Sequence, residues 1–209
     1  MRHIVDRLVL VGVVVFLASP SSAQQSLIEQ ARANGGTANV VIDVDGPIST
    51  VESMTEPSFL IVRGSVRSAT TKLSPDETQV VTEYELLASR FYKGSLPALA
   101  RPGATLPLRF TIPFGTLDID GLHLHTGVNI FPAAAMPRAG DDIIVFLNER
   151  RWQMYELCCG AGAAFRVIDG HVVGLTSAVR EGGRDAPQTI AEFEQRLSAA
   201  LSKAGVPAR

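Results

Sequence analysis

Arg138-Ala-Gly-Asp-Asp-Ile-Ile-Val-Phe-Leu-Asn148 decides the fold. Gly140-Asp141-Asp142 is turn chemistry, and it feeds an unbroken apolar run from Ile143 to Leu147. That run is too short to cross a bilayer and too β-branched for a helix. Because it does not alternate, it reads as a strand covered on both faces. It is expected at the centre of a sheet.

Working outward, the neighbouring segments carry strand patterns of a different kind. Phe59-Leu-Ile-Val-Arg-Gly-Ser-Val66 is apolar in its front half, and Gly64 inside it marks a bulge or a close backbone approach. Val80, Thr82, Tyr84 and Leu86 share one face of a period-two strand whose other face carries Glu83 and Glu85. Leu106, Leu108, Phe110 and Ile112 alternate with Pro107, Arg109, Thr111 and Pro113, so the prolines predict an edge strand. Trp152 to Cys158 and Ala164 to Ile168 read as two more strands. Asp169-Gly170 is a hairpin turn into His171-Val-Val-Gly174. Many short strands at fairly even spacing predict a barrel or sandwich.

Helix signals lie at the two ends. Ser26-Leu-Ile-Glu29 has capping-box spacing and opens a short helix that Asn34-Gly35-Gly36 would end, a peripheral lead-in. Asn39 to Val44 is a strand candidate closed by Asp45-Gly46-Pro47, and Ile48 to Glu56 a helical turn stopped by Pro57. After the loop Glu181 to Pro187, Thr189-Ile-Ala-Glu192 repeats the capping box. Ile190, Phe193, Leu197 and Leu201 then form one apolar stripe, so a terminal amphipathic helix caps the barrel.

Arg2 and Arg7, the apolar stretch Leu8 to Leu17, and Ser21-Ser22-Ala23 after Pro20 have the layout of a secretory signal peptide, which places the mature start at Gln24. The expected organisation is a signal peptide at 1–23, an N-terminal lead-in at 24–56, a β-barrel at 57–175, and a loop with its capping helix at 176–209. The product is exported, periplasmic or secreted, without membrane insertion after cleavage. Lys and Arg total 19 against 21 Asp and Glu, with neither sign in a block, which argues against nucleic acid as a partner.

Three stretches together resemble a family pattern: Leu60 to Val66, Thr82 to Gly94, and Gly140 to Leu147. In order and spacing they are similar to exported bacterial domains akin to netrin-like modules and tissue inhibitors of metalloproteases. The resemblance implies an OB-type barrel. The expected fold is therefore mainly β, an OB-like antiparallel barrel of about six to eight short strands with a short N-terminal helix and a C-terminal amphipathic helix. Those inhibitors insert a cysteine-bearing mature N-terminus into their target. Here that end is Gln24-Gln25, so the inhibitory mechanism does not carry over.

Chemistry-bearing patterns are sparse. No Gly-x-Ser-x-Gly elbow, Ser-x-x-Lys pair or His-Glu-x-x-His helix occurs, so the chain is not expected to be an enzyme or to need a cofactor. The acid pairs Glu83/Glu85 and Asp141/Asp142 fall on an outer strand face and in a turn. Asp43-Val-Asp-Gly46, Asp118-Ile-Asp-Gly121 and Ile168-Asp-Gly170 resemble fragments of calcium loops but lack the full ligand series, and Asp-Gly is also the preferred hairpin dipeptide. Cys158-Cys159 leaves three states open: a strained vicinal disulfide, an intermolecular bond, or two thiols.

The remaining candidate is Thr116 to His125. A two-residue turn at Asp120-Gly121 would pair Asp118 with His123 and Thr116 with His125, displaying Asp118, His123 and His125 on one face as ligands for a Zn²⁺-like ion. The leading expectation is an exported non-catalytic binding or scaffold module with a protein partner. The alternative is a metal-binding or metal-sensing protein using that hairpin.

Overall fold

The computed structural model describes residues 25–42, 50–94, 105–128, 136–149, 155–175 and 188–206, with only the backbone described at Val128, Cys159, Gly160 and Ala161. The segments read as the signal peptide, the Asp45-Gly46-Pro47 turn and the Glu181 to Pro187 loop lie outside the described residues. The strands are β1 (Thr37–Ile42), β2 (Leu60–Leu73), β3 (Val80–Lys93), β4 (Leu106–Ile112), β5 (Gly115–Ile119), β6 (Leu122–Val128), β7 (Asp142–Glu149), β8 (Tyr155–Ala161), β9 (Ala164–Ile168), β10 (His171–Gly174) and β11 (Gln188–Thr189). The helices are α1 (Leu27–Ala33), α2 (Val51–Thr55) and α3 (Ile190–Lys203).

Ile143 to Leu147 are all at 0% exposure, and the reason is in the pairings of β7. It lies between β2 on one side and β8 and β9 on the other. Residues directly opposite in antiparallel strands share a face. Ile143, Val145 and Leu147 therefore turn with Gly64, Val62 and Leu60 into the barrel. Ile144 and Phe146 face out, where Phe165 lies 5.9 Å from Phe146 and Phe193 of α3 lies 5.2 Å from Phe165. One face is closed by the barrel interior and the other by α3.

Around that strand the order β7-β2-β3-β4-β8 closes on itself through the β7–β8 pairing. β2, β3 and β4 form an antiparallel meander, β4 meets β8 in parallel, and β8 and β2 each pair antiparallel with β7. This is OB-type connectivity: a mainly β chain with five strands closing the barrel and β9, β10 and β11 continuing the sheet from β7. Inside, Tyr84 stacks on Phe110 at 5.1 Å, and burial pushes the Tyr84 hydroxyl above its ordinary range.

Leu106–Ile112 departs from the expected edge strand. Beyond its pairing with β3, β4 also meets β8 at Phe110 and Thr111. Among the described residues only its first half has a single neighbour, and Pro107 and Arg109 stand there. The prolines mark half an edge, because β8 joins after the last residue whose N–H is missing within the strand.

The segment before residue 57 is also more than a lead-in. Leu27 and Ala31 of α1 are fully buried, and they join Ala38, Val80 and Leu124 in a second apolar cluster outside the barrel core. β1 runs parallel to β6, which pairs with β5 into a separate three-stranded sheet. α1 covers one face of it. The far end of the β2–β3 hairpin supports this unit: Leu27 N–H donates to the Glu77 carbonyl at 2.8 Å, Val80 N–H to Thr126 Oγ1 at 2.7 Å, and Thr82 Oγ1–H to the Phe114 carbonyl at 2.6 Å.

α2 and α3 close the opposite side. Both have capping boxes, at Thr50/Ser53 and Thr189/Glu192. Met54, Phe193, Leu197 and Leu201 enter the main core. Lys93 Nζ donates to the Thr55 and Glu56 carbonyls at 2.8 Å, satisfying the end of α2. Arg196 Nε donates to Glu52 Oε1 at 3.0 Å and its terminal nitrogen to Oε2 at 3.0 Å, joining the two helices. The Arg196 guanidinium holds the Glu52 carboxyl down at about 2.

A carboxylate with a depressed folded pKa contributes stability that is complete above its unfolded value and lost as pH falls through the folded one. The Glu52 contribution should therefore fade between about pH 5 and pH 2. The pair is half exposed, so solvent screening keeps it below about 1 kcal/mol. Melting curves of the parent and Glu52→Gln should differ slightly at pH 7 and converge at pH 2. A gap that widened in acid would contradict the pairing.

Candidate functional site

The β5–β6 hairpin is built as its dipeptide dictates. Asp120 and Gly121 have φ of 50° and 76°, both in the left-handed region that a type I′ turn requires. The register that follows places Asp118 opposite His123, Leu117 opposite Leu124, and Thr116 opposite His125. Leu124 is buried against the second cluster, so the polar members turn outward.

On that outer face the three proposed ligands separate. His123 Nδ1 lies 2.7 Å from Asp118 Oδ1. His125 Nδ1 lies instead 2.9 Å from Thr116 Oγ1, and its ring meets Phe114 edge-on at 6.1 Å. A Cβ on Gly127 would stand 3.0 Å from His125 Nε2, so the ring leans along the strand away from His123. Among the described residues no three His, Cys, Asp or Glu side chains gather closely enough to hold a metal ion. The physical reason is the register itself: the hydroxyl directly across the strand is nearer to His125 than the carboxylate one pair away. Asp118 and His123 meet, and His125 does not join them.

β1 widens this face, which the sequence reading did not foresee. Its parallel register sets Thr37 beside His123, Asn39 beside His125 and Val41 beside Gly127. Thr37, Asn39, Val41, Thr116, Asp118 and His123 are exposed, whereas Ala38 and Leu124, their neighbours along the strands, are buried. The result is an exposed face across three strands that mixes hydroxyl, amide, imidazole and carboxylate groups.

The other candidates resolve into structure. Asp142 Oδ2 accepts from Arg63 at 2.6 Å, and Asp141 Oδ2 accepts from Arg166 at 2.7 Å and from the Arg138 N–H at 2.7 Å. Glu85 pairs with Arg67 at 3.0 Å, and Glu83 with Lys72 and with Arg109 at 3.5 Å. Each acid of the two pairs has its own cation. Asp169 and Gly170 form a second left-handed hairpin turn, with φ of 49° and 76°. The Asp43 to Gly46 fragment lies outside the described residues.

Cys158 sits where β8 passes the end of α2. Its Sγ is 3.1 Å from Ser58 Oγ and 3.8 Å from the Met54 carbonyl oxygen, while Asn148 Nδ2 donates to its carbonyl at 3.2 Å. The Cys159 side chain, and with it the question of a vicinal bridge, lies outside the described residues. No family model matches the chain, and no curated protein matches it.

Proposed function

We propose that the chain is an exported, non-catalytic binding module that engages a protein partner through the outer face of the β1–β6–β5 sheet. The observation that carries this reading is the asymmetry of that sheet. One face is sealed by α1 and the β2–β3 arm, and the other leaves Thr37, Asn39, Thr116, Asp118 and His123 exposed. Mixed donors and acceptors on a sheet face suit recognition by hydrogen bonding. The leader-like residues 1–23 support export, and the missing nucleophile motifs support a non-catalytic role.

The test is affinity capture from periplasm and medium, comparing the parent with the triple variant Asn39→Ala, Asp118→Ala and His123→Ala. A stoichiometric protein held by the parent and lost by a folded triple variant is expected. Equal capture by both would move the binding surface elsewhere. Zinc-dependent capture abolished by His123→Ala would favour the metal-binding reading instead.

A further inference from the structure

Among the described residues the edge of β1 is the least guarded. Natural sheets blunt their free edges with proline, charge, bulges or very short strands. The half-open edge of β4 follows that rule with Pro107 and Arg109, and the far end of the large sheet closes with the two-residue β11 before α3. β5, the other edge of the small sheet, lies along the β2–β3 arm. β1 has none of these devices. Thr37-Ala-Asn-Val-Val-Ile42 is uncharged, regular and half β-branched aliphatic, and its Val41 side chain is 65% exposed.

Which backbone groups are left over follows from the pairing. His123 N–H donates to the Gly36 carbonyl at 2.8 Å, so in the parallel ladder the even-numbered residues of β1 turn their polar groups to β6. Thr37, Asn39 and Val41 turn theirs the opposite way. Among the described residues no strand pairs with that side.

We infer that this edge pairs antiparallel with β1 of a second copy of the chain, making one continuous six-stranded sheet across a two-fold axis at Asn39. The geometry is self-consistent. Pairing centred on Asn39 sets Thr37 opposite Val41 of the second copy and Ala38 opposite its Val40. Outer-face residues then meet outer-face residues. All three outward-turned residues fall in hydrogen-bonded positions, which gives about six inter-chain N–H···O bonds. Shifting the centre to Val40 would give about four.

Val41 would lie against a threonine, and the two Asn39 amides would meet on the axis. A second copy suits the edge better than a charged partner strand, because an uncharged strand has no opposite charge to offer but is complementary to itself. This inference concerns the backbone edge of β1, although Thr37 and Asn39 also lend side chains to the face assigned to a protein partner above.

The test uses the chain lacking residues 1–23, examined by sedimentation equilibrium up to on the order of 100 µM, where a small interface is populated. The mass should rise from one chain to two with concentration. Val41→Lys, which adds a gatekeeping charge, and Asn39→Pro, which deletes an outward N–H together with the axial amide, should each hold the mass at one chain. Thr116→Lys on β5 should leave the dimer intact.

A second measurement does not depend on those variants folding. Asn39→Cys places two thiols across the axis with Cα atoms about 5.5 Å apart, within disulfide range. Under mild oxidation it should cross-link to a dimer that Asn39→Ser does not form. A parent that stays monomeric throughout, a dimer that survives both Val41→Lys and Asn39→Pro, or no cross-link at position 39 would each overturn the inference.

Discussion

Replacing Val145 by Asp is expected to abolish cooperative folding. Val145 is at 0% exposure, turned into the barrel opposite Val62 on β2, while on the other side β7 pairs with Ala164 of β9. A carboxylate there has no cation within the apolar cluster formed by Val62, Leu86, Leu108 and Phe110. It must either ionise unpaired or bind a proton, and either outcome costs several kcal/mol against a total stability of about 5–15 kcal/mol. The measurement is thermal unfolding followed by far-UV circular dichroism. A soluble variant with the parent's spectrum and midpoint would show that the strand is not central.

The second large effect is expected at Gly64. A Cβ built there would stand 2.3 Å from the Leu87 carbonyl oxygen and 2.8 Å from the Ala88 Cα, so the obstacle is backbone rather than a side chain that can swing away. The β2–β3 register slips between Arg63 and Gly64, where β2 bends to serve β3 and β7 together. Gly64→Ala forces the two strands apart at that bend and should cost on the order of 3 kcal/mol, lowering the melting point by about 6–12 °C. Gly162→Ala is the control, since nothing lies within 4 Å of its Cβ position. A similar midpoint for both variants would refute the close-approach argument.

What was legible in the sequence was what depends on neighbours along the chain. The apolar run Ile143 to Leu147, the Asp-Gly turns, the capping boxes at Ser26 and Thr189, and the glycine at the bend each state their conformation within a few residues. Partnerships across long separations were not legible. Nothing local in Thr37 to Ile42 says that its partner is Leu122 to Val128 or that the pairing is parallel. With two buried residues, Leu27 and Ala31, α1 looked peripheral because its burial depends on that sheet.

The candidate site shows the same limit at finer scale. The hairpin register followed from the turn type, so the Asp118–His123 contact was foreseeable. The orientation of His125 was not, because it depends on Thr116, Phe114 and the bare backbone of Gly127 together.

The parallel pairing of β1 with β6 also orders the events of folding. Thr37 and His123 are 86 positions apart, so closing that contact in an unfolded chain costs on the order of 4 kcal/mol in loop entropy before any reward arrives. Once the barrel has closed and α2 has docked, the chain between the two ends is only the stretch from Ile42 to Val51, and the same contact costs about half as much. β1 is made early and becomes worth pairing late. The parallel pairing is thus expected to form after the barrel strands have met.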